Sequence, residues 1–130
     1  MAQDLTEEVQ RFIARYITSV EQLEVLLLLF SEPSRSWTPE AVYGQIQSHP
    51  GSVHQRLDDL VLSGFLIKEP ATSTYRYSPA DGERAQAVPL LAKAYRERRV
   101  KVIELIFAKP IDQVKAFADA FKLRKDKPDG

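Results

Sequence analysis

Residues 52–77 read SVHQRLDDLVLSGFLIKEPATSTYRY, and inside this stretch the hydrophobic period changes from that of a helix to that of a strand. Val53, Leu57, Leu60 and Val61 recur at helical spacing, which sets His54, Gln55, Arg56, Asp58 and Asp59 on or beside the opposite face. Gly64 stands where such a helix needs a left-handed residue in order to stop. Phe65, Leu66 and Ile67 then form an apolar run too short for another helix, and Pro70 closes it. Ala71 to Thr74 make a turn-rich loop, after which Tyr75, Arg76 and Tyr77 alternate as a partner strand does, until Ser78-Pro79. The stretch therefore predicts a helix over about 52–63 followed by a β-hairpin over 65–78.

Upstream, Thr38-Pro39-Glu40 places a capping threonine before a proline suited to the first helical position, so a helix starts there and runs to Ile46. Ser48-His49-Pro50-Gly51 is the turn into the next helix. Before Trp37 lies a polar break, and before that Val20 to Phe30, a helix capped by Ser19 and apolar on several faces, hence buried nearly all round. Leu5, Val9, Phe12, Ile13, Tyr16 and Ile17 give a first amphipathic helix that needs an apolar partner, for which a second subunit is one candidate. Downstream, 81–87 is helical or irregular, Pro89 falls in the first turn of a long helix reaching Ala108, and Lys109-Pro110 ends it. The crowded Val100 to Phe107 segment and a last stripe, Ile111, Val114, Phe117, Ala118 and Phe121, offer more apolar surface than one small domain covers. The expected organisation is an amphipathic helix at 1–18, a central domain at 19–79, C-terminal helices at 80–123 and a charged tail at 124–130, with the two flanking parts dimerising.

With 130 residues and 44% hydrophobic content, the chain makes one domain with a real core. The apolar run VLLLLF at 25–30 is bounded by Glu24 and Glu32 and is far shorter than the roughly 20 residues of a membrane span. The absence of cysteine excludes disulfides and thiolate chemistry, and no secretory signal opens the sequence, so a cytoplasmic protein without membrane contact is expected. Net charge is zero but uneven: residues 19–48 carry one arginine against four glutamates, whereas 80–130 carry 12 basic and 8 acidic residues.

The order helix, strand-like Trp37, helix, turn, helix, two-stranded wing resembles the winged helix-turn-helix domains of bacterial transcription regulators, most nearly the MarR-like group. LDDLVLSGFLIKE at 57–69 carries the likeness: a leucine-studded recognition helix, a glycine and an apolar first wing strand. The resemblance implies a mainly α fold with a small β-hairpin wing, double-stranded DNA as partner, and a homodimer. On that reading helix 52–63 enters the major groove, where Gln55 can pair with adenine and Arg56 with guanine, while Ser52 and His54 hold phosphate. Thr72, Ser73 and Arg76 of the wing approach the backbone.

Each assignment has a plainer counterpart. The helix face can be merely solvated, Arg76 can pair with Glu69 across the hairpin, and the basic cluster Arg96, Arg98, Arg99 and Lys101 can pair with Glu97 or Glu104. Trp37, Tyr43, Tyr75 and Tyr77 either line an effector pocket or belong to the core. Asp58 and Asp59 repel phosphate, and the wing tip ATST has no arginine, which suits an alternative: a winged-helix protein-protein interaction module without DNA binding. No phosphate loop, nucleophile triad or zinc motif occurs; the histidines are His49 and His54 alone. Neither an enzyme, a cofactor nor a metal site is expected.

Overall fold

The computed structural model describes residues 5–108, so the expected stripe from Ile111 to Phe121 and the charged tail lie outside the described residues. Five helices and one hairpin follow in the order α1 (Glu7–Tyr16), α2 (Val20–Ser31), α3 (Pro39–Ile46), α4 (Pro50–Leu62), β1 (Leu66–Glu69), β2 (Thr74–Tyr77) and α5 (Gly82–Glu97), with a further helical stretch at 99–108. The chain is thus mainly helical with a small two-stranded antiparallel sheet, as the periodicities imply. Among the described residues no helix is long and apolar enough to cross a membrane.

The caps sit where sequence chemistry puts them. Thr6, Ser19 and Thr38 each accept a hydrogen bond from the backbone N–H three residues on, and Asp81 does the same for Arg84 at the start of α5. Gly64 has φ of +89°, and with the N–H of Gly64 bonded to Val61 O and that of Phe65 to Leu60 O, α4 ends in a left-handed stop. The start of α4 is two residues earlier than position 52 because Pro50 occupies the first turn, where its missing N–H costs nothing.

Helix α2 is the axis of the core. Leu23, Val25, Leu26 and Leu29 are fully buried, and α2 packs on α3, α4, β2 and α5. In the hairpin Leu66 pairs with Tyr77 and Lys68 with Tyr75, so Tyr75 and Tyr77 share one face and are buried. Trp37 bridges the free edge of β2 through two backbone hydrogen bonds of 2.8 Å with Tyr75, which confirms its strand-like character.

One expectation needs correction. Pro89 lies in the interior of α5, which already begins at Gly82, and the helix is interrupted at Arg98 instead of running through to Ala108. The Asp81 cap starts the helix early, and Pro89 is exposed, as is Ala85, whose carbonyl it cannot bond. Glu24 fastens the break: the Tyr95 hydroxyl donates to it at 2.8 Å and Arg99 approaches it at 3.5 Å.

Helix α1 finds an apolar partner in its own chain. Its stripe is covered within the chain, with Leu5, Val9, Phe12, Ile13 and Ile17 all buried and α1 packed on α5. Phe12, Tyr16 and Phe65 form a mutual aromatic cluster with ring centroids 5.1–5.6 Å apart, and the Arg84 guanidinium lies over Tyr16 and Phe65 while its Nε donates to Ser63 O. A second subunit is not needed to satisfy this helix. On 99–108, Val102 and Ile106 are buried, whereas Val100 and Phe107 remain exposed.

Candidate interaction face

Helices α3 and α4 are joined by Gln47, Ser48 and His49, with Gln47 in the left-handed region at φ 58°. The geometry is helix, tight turn, helix, then hairpin. The outward face of α4 comprises Gly51, His54, Gln55, Asp58 and Leu62, all exposed, with His54 and Gln55 side by side and the others three or four residues away along the helix. Ser52, Arg56 and Asp59 form a neighbouring, half-buried row that faces α2.

The candidate residues therefore divide. Glu21 of α2 receives the hydroxyls of Ser48 and Ser52, the latter at 2.8 Å, and the Arg56 Nε at 3.0 Å. Burial alone raises the Glu21 carboxyl, but the three hydrogen bonds and the charge of Arg56 outweigh it and hold the group below its usual range. A second nitrogen of Arg56 reaches Asp59 at 3.7 Å. Arg56 and Ser52 thus clamp α4 onto α2, and the Arg56 side chain keeps only 27% of its exposure.

His54 and Gln55 do point outward. His54 Nε2 lies 3.8 Å from Asp58, and its ring meets Tyr75 edge-on. The Tyr75 hydroxyl donates to Asp58 Oδ1 at 2.5 Å; burial, then this bond and the carboxylate charge, drive the phenol upward from its ordinary value near 10. Asp58 is therefore the point where hairpin and α4 are fastened. Across the hairpin Arg76 approaches Glu69 at 3.8 Å, the cross-strand pairing weighed from the sequence. Thr72 and Ser73 occupy the exposed loop, Ser73 with φ 55°, and Thr72 shares a hydroxyl hydrogen bond with Thr74. Lys68 has no ion pair among the described residues and lies over the Tyr75 ring at 5.4 Å.

Between α3 and α4 opens a cleft of about 610 Å³ lined by Pro39, Glu40, Tyr43, Pro50, Gly51, His54, Gln55 and Asp58. It contains two carboxylates and no lysine or arginine. Trp37, Tyr75 and Tyr77 belong to the core, so of the four aromatic residues weighed for a pocket only Tyr43 lines this one. Among the described residues no group of three or more acidic or histidine side chains can hold a metal.

Comparison with models of protein families, with curated proteins and with solved structures finds no match to this chain.

Three features escape the sequence: the Glu21 clamp, the Tyr75–Asp58 link and the Arg84 bridge. Each joins residues 17 to 35 positions apart, and no local period marks them. Glu21 offered one faint signal, as a charged residue on a helix otherwise apolar on several faces.

Proposed function

We propose that the chain is a winged-helix interaction module that docks a protein partner on the α3–α4 face. The observation that supports this most is the loss of free cations from the face that a winged helix would turn to DNA. Of the three basic residues between 38 and 77, Arg56 is held by Glu21 and Asp59 and Arg76 by Glu69, while Asp58 and Glu40 border the outward surface. Neutralising phosphates supplies essentially all non-specific DNA affinity, and Lys68 alone makes a weak footprint. Tyr43 at 36% exposure and Leu62 at 86% add the aromatic and apolar side chains that protein contacts favour.

A DNA-binding transcription regulator is the second reading. It is favoured by His54 and Gln55 on the outward row of α4 with Lys68 on the adjoining strand, a set able to touch a base edge and a phosphate. For either reading a homodimer is proposed through Val100 and Phe107, exposed two helical turns apart on one face of 99–108. Chromatography on immobilised duplex DNA at low salt separates the two functions. An interaction module passes unretained; retention released by added salt would favour the regulator.

A further inference from the structure

The α3–α4 cleft has a chemistry that selects its occupant. Glu40 sits on the first turn of α3, exposed and without an ion pair among the described residues. Asp58, whose Oδ1 already accepts from the Tyr75 hydroxyl, lines the same cleft from the third turn of α4, and the partly exposed Tyr43 lines it together with Pro39 and Pro50. An aromatic face flanked by carboxylates attracts a cation twice, through the ring quadrupole and through charge. The neighbouring lysine and arginines are directed elsewhere, Arg35 onto Trp37 and Glu32, Arg56 toward α2 and Lys68 onto Tyr75, and the one base that lines the cleft is His54, 3.8 Å from Asp58. By contrast, the groove beside α1 and α5 mixes Arg11 and Arg15 with Glu8 and Glu83 and prefers neither sign.

We propose that this cleft receives a lysine or arginine side chain from an extended protein segment, seated over Tyr43 between Glu40 and Asp58. The inference rests on the reading of this face as a protein-docking surface and names the partner's chemistry. Leu62, further along the same row of α4, gives a neighbouring apolar residue of the segment a place to rest.

The test is an NMR titration of the full-length, isotope-labelled chain with the capped peptide acetyl-Leu-Arg-Lys-Leu-amide. Shift changes are expected at 39–43 and 50–58, weakening as salt is raised. Glu40→Gln, an exposed change that leaves the core alone, should lower affinity by about two- to fivefold, the range of a surface charge pair. Tyr43→Ala should lower it by a similar factor. Equal binding of acetyl-Leu-Glu-Glu-Leu-amide, or shifts confined to another face, would overturn the proposal. So would a gain of about tenfold in peptide affinity when Lys122, Arg124 and Lys125 are replaced by glutamine, since the chain's own basic segment would then be the occupant. A peptide that fails while duplex DNA is also ignored overturns the cation assignment alone; DNA retention overturns the docking reading itself.

Discussion

Tyr75→Phe removes one oxygen from a buried ring and leaves its volume almost unchanged, so it isolates the bond between hairpin and α4. The ring is fully buried, with backbone bonds to Trp37 and its hydroxyl 2.5 Å from Asp58. A hydrogen bond to a charged acceptor contributes about 1.5–3 kcal/mol, but Asp58 is half exposed and water can replace the lost donor, which places the expected loss at about 1–2 kcal/mol. Chemical denaturation at pH 7 measures it. The pH dependence supplies an independent signature. Tyr75 has a folded-state pKa above its unfolded value near 10, so the stability it contributes is complete below pH 10 and is lost as the pH rises above that value. The gap between parent and variant should therefore narrow above pH 10. A variant as stable as the parent at pH 7, with a gap independent of alkaline pH, would refute the argument that this hydroxyl fastens the hairpin.

Gly64→Ala should cost about 1 kcal/mol or more, because φ is +89° and a Cβ there would meet Arg84 Nε at 2.9 Å and Ala80 Cβ at 3.2 Å; an unchanged thermal midpoint would contradict the left-handed stop. Phe12→Ala should destabilise by about 3–5 kcal/mol at every protein concentration, since its ring is covered by Phe65 and Tyr16 of its own chain. A loss that disappears on dilution would place a second subunit on α1 instead. Glu21 has a folded pKa below its unfolded value of 4.5, so its contribution is present above pH 4.5 and disappears as the pH falls through the folded value. Glu21→Gln should accordingly flatten the acid limb of the stability profile, and an identical limb in parent and variant would show the clamp to be energetically idle.

The local elements were legible because local chemistry determines them. Thr38-Pro39 announces a helix start, Gly64 a stop, and the alternation of Tyr75, Arg76 and Tyr77 a strand whose aromatic face turns inward. Pro89 misleads because a proline is favoured in a first turn, yet the Asp81 cap lies eight positions earlier and Pro89 falls on the exposed face of α5, where the lost bond is tolerated. The α1 stripe was legible as a buried face, but periodicity does not say whose surface covers it. Site residues were less legible still. Arg56 and Gln55 are adjacent, and only the position of Glu21 on α2 decides that one turns inward while the other stays on the outward row.

On the proposed reading, the α3–α4 face is a protein surface with too little free positive charge to hold DNA. Fluorescence anisotropy of a labelled random-sequence duplex, titrated with the full chain across a salt series, tests it most directly. No saturable binding is expected at any salt, down to about 20 mM, where phosphate contacts are strongest. Saturable binding at low salt, falling about 10³-fold or more between about 50 and 200 mM as it does for proteins that neutralise six or more phosphates, would contradict it.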